Sequence, residues 1–121
     1  MNALANKGRN TFRKHEKIRQ RAEYQSIYEK GARTFSRHFI IVSQNNRLGY
    51  RRLGITVSKK VGNSVRRNRI KRMIREFFRL NRNRLTESQD IVIIGKKGMP
   101  RLSYQEVCEE LESLVRPEAA E

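Results

Sequence analysis

Apolar and polar positions along the first half of the chain form three patterns that predict secondary structure. Apolar residues recur at helical spacing between about 21 and 30, and Gly31 follows as a helix stop. The apolar, largely β-branched run 39–42 predicts a strand. The segment 53–57 alternates apolar residues with small or polar ones, which predicts a second, half-buried strand. Because turn residues occupy 44–47, the two strands are predicted to pair as an antiparallel hairpin.

The second half of the chain contains a long amphipathic helix, a buried strand and a final helix. Between 63 and 80, one stripe of apolar residues follows the helical period, with basic residues opposite it. The run 91–94 is continuously apolar, which is typical of a strand covered on both faces. Ser103 and Glu106 have the spacing of a capping box at the start of the last helix. With one weaker strand before the long helix, this order predicts a single α+β domain in which helices pack on a sheet.

The two ends of the chain lack these patterns. Residues 1–15 are polar and basic without a sustained period, so we predict a flexible basic arm there. Pro117 follows the last helix, and residues 117–121 are predicted to form a frayed tail. The remaining residues, 16–116, are predicted to form the one folded domain.

Charge adds a prediction about partners. The chain has 28 Lys and Arg against 12 Asp and Glu, a net charge of +16. Such an excess favours binding to a polyanion, either a nucleic acid or an anionic membrane. The excess is uneven, because residues 1–84 hold 24 basic and 4 acidic side chains, whereas 85–121 hold 4 and 8. The polyanion is therefore expected to contact surfaces built from the first two-thirds of the chain.

The strongest concentration of charge lies on the long helix and just before it. Residues 59–82 include ten Lys or Arg and one acid, Glu76. An ordinary solvated helix face is the alternative interpretation, but such faces usually mix signs, because like charges four residues apart repel. Here Arg67, Lys71, Arg75 and Arg79 follow one another at that spacing. A polyanionic partner explains the crowding, and the preference for arginine suits phosphate binding.

Three aromatic residues near the start of the domain are candidates for base recognition. Tyr24 and Tyr28 lie on the first predicted helix, and Phe39 begins the first predicted strand. Their rings could stack on unpaired bases. The sequence pattern is equally consistent with a structural role, in which these rings pack the first helix onto the sheet.

Residues that could carry protein catalysis are scarce. The chain has one aspartate, Asp90, and its two histidines, His15 and His38, lack nearby partners that a general base would need. Cys108, the single cysteine, is interpreted as a core thiol. No catalytic residue and no metal ligand is therefore predicted in the protein. The single cysteine and the lack of an apolar run of about 18 residues predict a cytoplasmic protein that does not span a membrane.

The segment 59–72 (KKVGNSVRRNRIKR) resembles the signature of the bacterial ribonuclease P protein, with its Arg-Asn-Arg core followed by Lys-Arg. A generic basic helix is common, but this ordered set is specific. The resemblance covers about residues 15–116. Four shorter segments occur in the family's order, at 24–31, 54–58, 90–94 and 102–104.

The resemblance implies a fold and an activity. The fold would be αβββαβα, with a central, mostly antiparallel four-stranded sheet and a left-handed βαβ crossover, similar to domain 2 of ribosomal protein S5. The protein would be a subunit of an endoribonuclease that removes the 5′ leader from precursor tRNA. The catalytic component would be a large RNA that holds Mg²⁺ and supplies the chemistry. The expected partners are that RNA and the leader, and no homo-oligomer is expected.

The resemblance also implies two groups of site residues. The leader would lie in a cleft between the first helix and the sheet, lined by Tyr24, Tyr28, Phe39, Thr56 and Ser58. The protein would screen phosphate repulsion and hold the leader in register without supplying a nucleophile. The catalytic RNA would contact the basic helix and the turn before it, through Lys59, Lys60, Asn63, Arg66, Arg67, Asn68, Arg69, Lys71, Arg72 and Arg75.

Three other functions remain as alternatives. A structural ribosomal-type RNA-binding protein would share the charge but take no part in cleavage. A DNA-binding module would place the basic helix in a major groove, but no helix-turn-helix pattern accompanies it and its apolar stripe is needed for packing. An autonomous nuclease would need a carboxylate or histidine constellation that this sequence lacks.

Overall fold

A computed structural model describes residues 16–115 of the protein. The predicted arm at 1–15, which includes His15, and the predicted tail at 117–121 lie outside the described residues. Within 16–115, no helix combines the length and the apolar character that crossing a membrane requires.

Within residues 16–115, the fold consists of three α-helices and four strands. The sheet order is β1-β2-β4-β3, in which β1–β2 and β2–β4 are antiparallel and β3–β4 are parallel. The predicted α+β class, the αβββαβα order and the mostly antiparallel sheet are confirmed. The elements are α1 (Arg21–Lys30), β1 (Ala32–Phe35), β2 (Phe39–Asn45), β3 (Arg52–Thr56), α2 (Ser64–Leu80), β4 (Gln89–Gly95) and α3 (Tyr104–Leu111).

The predicted hairpin between 39–42 and 53–57 is wrong. β4 lies between β2 and β3, and β2 instead forms its hairpin with β1. The reason is burial: β4 is apolar on both faces, so a central position with a strand on each side covers it best. Apolar periodicity did not locate β1, because all four of its residues are exposed and show no alternation of apolar and polar positions.

One face of the sheet packs against α2 and α3. The apolar stripe predicted on the long helix is confirmed, because Ile70, Met73, Ile74 and Phe77 are all buried there. Asn63 caps the start of α2 by accepting a hydrogen bond from the Arg66 amide at 2.9 Å. The sheet contributes Phe39, Ile41, Leu53, Ile91 and Ile93 to this core.

The other face of the sheet packs against α1. Ile27 of α1 and Ile18 before it meet Val42 and Val92 in a second, smaller core. Tyr24, Tyr28, Ile40 and Ile94 are half-buried at its border. Among the residues that the structure describes, α1 (10 residues) leaves part of this sheet face uncovered, where Ile40 and Ile94 are only half-buried. That uncovered part is the floor of a cleft.

A buried ion network attaches α1 to the two strands at the β3 end of the sheet. Asp90 is the buried charged residue of the part of the chain described, at 6% exposure. Arg52, its neighbour across the parallel pair, binds both carboxylate oxygens, at 2.8 and 2.7 Å. Arg52 also donates to Glu23 of α1 at 2.7 Å. The Asn46 amide donates to Asp90 at 2.8 Å, so the turn after β2 joins the same network.

The C-terminal helix begins as the sequence predicts. Ser103 accepts from the Glu106 amide at 3.1 Å, and the Glu106 carboxylate accepts from the Ser103 amide at 2.8 Å. Cys108 is half-buried at the border of the core rather than within it. Burial, followed by a hydrogen bond with Cys108, raises the pKa of Tyr104 to about 12.

Candidate nucleic-acid interface

The basic helix presents its cations on the side away from the core. Its apolar stripe faces the sheet, so the residues between successive stripe positions are directed outward or sideways. Of the ten predicted contact residues, six are exposed: Lys59, Lys60, Asn63, Asn68, Arg72 and Arg75. Four are half-buried along the flanks of the helix: Arg66, Arg67, Arg69 and Lys71. All ten therefore retain some solvent exposure along α2 and the turn before it.

Individual cations on this surface differ in their protein contacts. Arg66 donates to the carbonyl of Met99 at 2.8 Å, which ties it to the loop before α3. Arg79, the fourth cation of the i+4 series, binds Glu76 through two hydrogen bonds, at 3.0 and 2.5 Å. The Nε of Arg67 is shielded from solvent and has no hydrogen-bond partner among residues 16–115.

The cleft between α1 and the sheet holds two tyrosines. Their ring centroids are 6.2 Å apart, with the planes inclined at 52°. The Tyr24 ring lies directly over Gly54, where an added Cβ would come within 2.7 Å of the tyrosine oxygen. Tyr28 and Thr56 share a hydrogen bond of 3.1 Å between their hydroxyl groups. The structure thus brings three of the five predicted cleft residues together, and Ser58 lies exposed just beyond the end of β3.

The prediction that Phe39 lines this cleft is wrong. Its side chain is 0% exposed and belongs to the core under α2 and α3, on the opposite face of the sheet. Strand side chains alternate between faces, so an error of one position assigns a residue to the wrong side. On β2, the residue that reaches the cleft face is Ile40. Its neighbour on β1 is Phe35, an aromatic that no pattern in the sequence singles out.

A groove connects the cleft with the basic helix around the edge of β3. Its volume is about 140 Å³, and Leu53, Gly54 and Ile55 line it on the β3 side. The segment 17–19 closes one side, where the Ile18 amide donates to the Leu53 carbonyl at 3.0 Å. Four cations line the groove, two from each side: Lys17, Arg19, Lys71 and Arg75. A polyanion that extends from the tyrosines to α2 could therefore remain in contact with positively charged side chains along the whole groove.

Ser36, His38 and Glu110 form a cluster whose composition suggests a catalytic triad, but its geometry does not. The Ser36 hydroxyl and His38 Nδ1 both bind the Glu110 carboxylate, at 2.7 and 2.6 Å. A triad instead needs the histidine between the hydroxyl and the carboxylate. Burial would raise the pKa of Glu110, but hydrogen bonds from His38 and Ser36 hold it below its ordinary value. The cluster joins the β1–β2 turn to α3.

Comparison with known proteins gives a consistent result. The Ribonuclease P family model matches residues 12–118. The ribonuclease P protein component of Syntrophus aciditrophicus is 54% identical over 108 residues, which are 89% of this chain and 91% of that protein. The corresponding protein of Desulforapulum autotrophicum is 40% identical over 109 residues, covering 90% and 93%.

Two solved structures resemble the fold of this chain. The RNase P protein of Staphylococcus aureus superimposes with a TM-score of 0.76 at 36% identity, covering 82% of this chain and 91% of that one. The RNase P protein of Thermotoga maritima gives a TM-score of 0.75 at 33% identity, covering 84% and 96%.

Proposed function

Because the chain belongs to the ribonuclease P protein family, whose members act in tRNA 5′ processing, we propose that it is the protein cofactor of an RNA-based ribonuclease P. In this proposal α2 binds the catalytic RNA and the cleft binds the 5′ leader of precursor tRNA. The observation that carries it is the cationic groove joining these two surfaces around β3. One protein could then hold two RNA segments in a fixed relation to each other. The protein is proposed to act in the cytoplasm.

The basic surface supports binding to the structured catalytic RNA. Arginine and lysine on α2 and in the preceding turn would neutralise phosphates, each contact releasing counterions. Because the apolar stripe anchors α2 to the sheet, these cations are positioned before RNA arrives. Preorganisation of this kind reduces the entropic cost of association.

The cleft supports binding to a single strand. The faces of Tyr24 and Tyr28 provide aromatic surface, and the hydroxyl groups of Thr56 and Ser58 provide donors and acceptors for sugars or phosphates. Stacking on aromatic rings tolerates any base, because every base has a π-face. Such a cleft would accept the varied leaders of different precursor tRNAs.

The Mg²⁺ used for cleavage is proposed to be held by the RNA. Three carboxylates of the described chain already have hydrogen-bonded partners: Asp90 binds Arg52, Glu76 binds Arg79 and Glu110 binds His38. Among the described residues, no group of three or more His, Cys, Asp or Glu side chains could hold a metal ion. The side chains described do not fit a protein Mg²⁺ site, so we assign none to the protein.

The alternative is a structural RNA-binding protein of ribosomal type, which the charge of α2 would also suit. Cleavage of 5′-labelled precursor tRNA at low Mg²⁺ distinguishes the two. The reactions contain the ribonuclease P RNA alone, the protein alone, or both. We expect efficient cleavage only with both. If the protein adds nothing, the alternative is favoured; if the protein cuts unaided, the assignment of chemistry to the RNA is wrong.

Replacing Tyr28 by alanine should weaken binding of precursor tRNA but not of mature tRNA. The substitution would remove stacking worth about 1–3 kcal/mol, or roughly 5-fold to 150-fold in affinity. Tyr28→Phe is the matched control, because it keeps the ring and removes only the hydroxyl bonded to Thr56. Affinities of the reconstituted enzyme for both RNAs provide the measurement. Equal losses for the two RNAs would show that Tyr28 packs the fold and does not contact the leader.

A further inference from the structure

Phe35 is exposed on the edge strand of the sheet. Its side chain is 64% exposed, although burial of a phenylalanine side chain is strongly favourable. β1 is the outer strand, and exposed apolar residues on such a strand favour unwanted pairing with other chains. A large ring in this position is therefore costly unless something covers it.

The strand register places Phe35 on the same sheet face as the tyrosine cleft. Phe35 is opposite Ile40, Ile40 is opposite Ile94, and Ile94 is opposite Thr56, the partner of Tyr28. Directly opposed residues point to the same side of a sheet. With strands about 4.8 Å apart, the row places Phe35 about 14 Å from Thr56. The half-buried Ile40 and Ile94 form a continuous apolar floor between them.

Two cations lie on the same face of the sheet as the Phe35 ring, one of them directly over it. The Lys96 ammonium lies 5.8 Å from the ring centroid and donates to the Ser36 carbonyl at 2.8 Å. Arg33, two residues before Phe35 and therefore on the same face, donates to the Tyr28 carbonyl at 2.9 Å. An aromatic face bordered by cations is the arrangement that binds a base together with its phosphate.

The turn that follows Phe35 is held firmly. Ser36 and His38 both bind Glu110 of α3, and the Lys96 amide donates to the His38 carbonyl at 2.9 Å. These hydrogen bonds hold the end of β1 against α3 and β4. The ring is therefore displayed on a rigid element, which lowers the entropic cost of binding a ligand.

We infer that Phe35 and Lys96 form an outer RNA-contact site, which stacks one unpaired base of the leader beyond the part held by Tyr28. This inference rests on the proposed function and extends its cleft to the β1 edge. The occupant is assigned from charge: Lys96 lies over the ring, and Arg33 is on the same face of β1. A second copy of this chain would bring the same cations against them, whereas a single RNA strand neutralises them.

Leader length provides the test. Reconstituted enzyme carrying Phe35→Ala is compared with wild type on one precursor tRNA, with a long leader or with one that ends at the tyrosines. Affinity comes from the enzyme-concentration dependence of single-turnover cleavage. We expect a loss of about tenfold on the long leader, the effect of removing one stacked ring, and no loss on the short one. Phe35→Tyr should behave as wild type on both.

Two controls establish that the effect belongs to the Phe35 position and to the folded protein. Leu48→Ala removes an exposed apolar side chain beyond the opposite end of β2 and should leave both affinities unchanged. Thermal unfolding of Phe35→Ala should match wild type, because the removed ring is exposed.

Three results would overturn the inference: no loss for Phe35→Ala, an equal loss on both leaders, or a dimer by sedimentation that Phe35→Ala dissociates without changing leader affinity. Failure of the proposed function looks different, because wild-type protein would then not stimulate cleavage at all.

Discussion

Replacing Asp90 by alanine is expected to lower the free energy of unfolding by about 3–5 kcal/mol, the usual cost of removing one partner of a buried ion pair. The carboxylate accepts two hydrogen bonds from Arg52 and one from Asn46. Without it, the Arg52 guanidinium, whose side chain is only 16% exposed, would lose its principal partner. Urea denaturation of the free protein measures the change.

Two variants test the physical reason for that loss. Combining Arg52→Met with Asp90→Leu removes both charges and should recover much of the stability, because apolar replacement of a buried pair is often neutral. Glu23→Ala should cost less than about 1 kcal/mol, because this carboxylate is 32% exposed and its attraction to Arg52 is screened by water. If Asp90→Ala lost no more than Glu23→Ala, the network would not stabilise the β3–β4 pair as inferred.

The second large effect is expected on RNA binding. Replacing Arg67 and Arg69 together by alanine should weaken binding of the ribonuclease P RNA by about a hundredfold, since each charge-assisted hydrogen bond contributes about 1.5–3 kcal/mol. The slope of log affinity against log salt should also decrease by about 1 for each phosphate that the variant no longer neutralises. Filter binding over a range of salt concentrations measures both quantities.

Arg79→Ala is the matched control for this prediction. It removes an arginine from the same helix, but one whose guanidinium already binds Glu76. Hydrogen bonding to Arg79 also lowers the pKa of Glu76, which therefore remains ionised beside it. We expect a small change in affinity and in salt slope. An unchanged salt slope in the double variant would show that Arg67 and Arg69 do not neutralise phosphates. An equal change in Arg79→Ala would show that the position of an arginine along α2 does not matter.

Local sequence patterns were sufficient to predict the helices and their cationic face. The apolar stripe of α2 and the Ser103–Glu106 capping box depend on residues three or four positions apart. Because these interactions lie within one helix, spacing along the chain represents them directly. The cationic side of α2 follows from the same periodicity, since it is opposite the stripe.

The arrangement of strands required contacts between distant residues. β4 pairs with β2 and β3, and Arg52 meets Asp90 across 38 positions of sequence. The face on which Phe35 and Phe39 lie depends on register, which a shift of one residue reverses. A short exposed strand such as β1 carries no apolar signal. Periodicity therefore determined the helices and their charged surface, whereas the cleft and its aromatic lining arose from long-range pairing, because that pairing sets strand order and register.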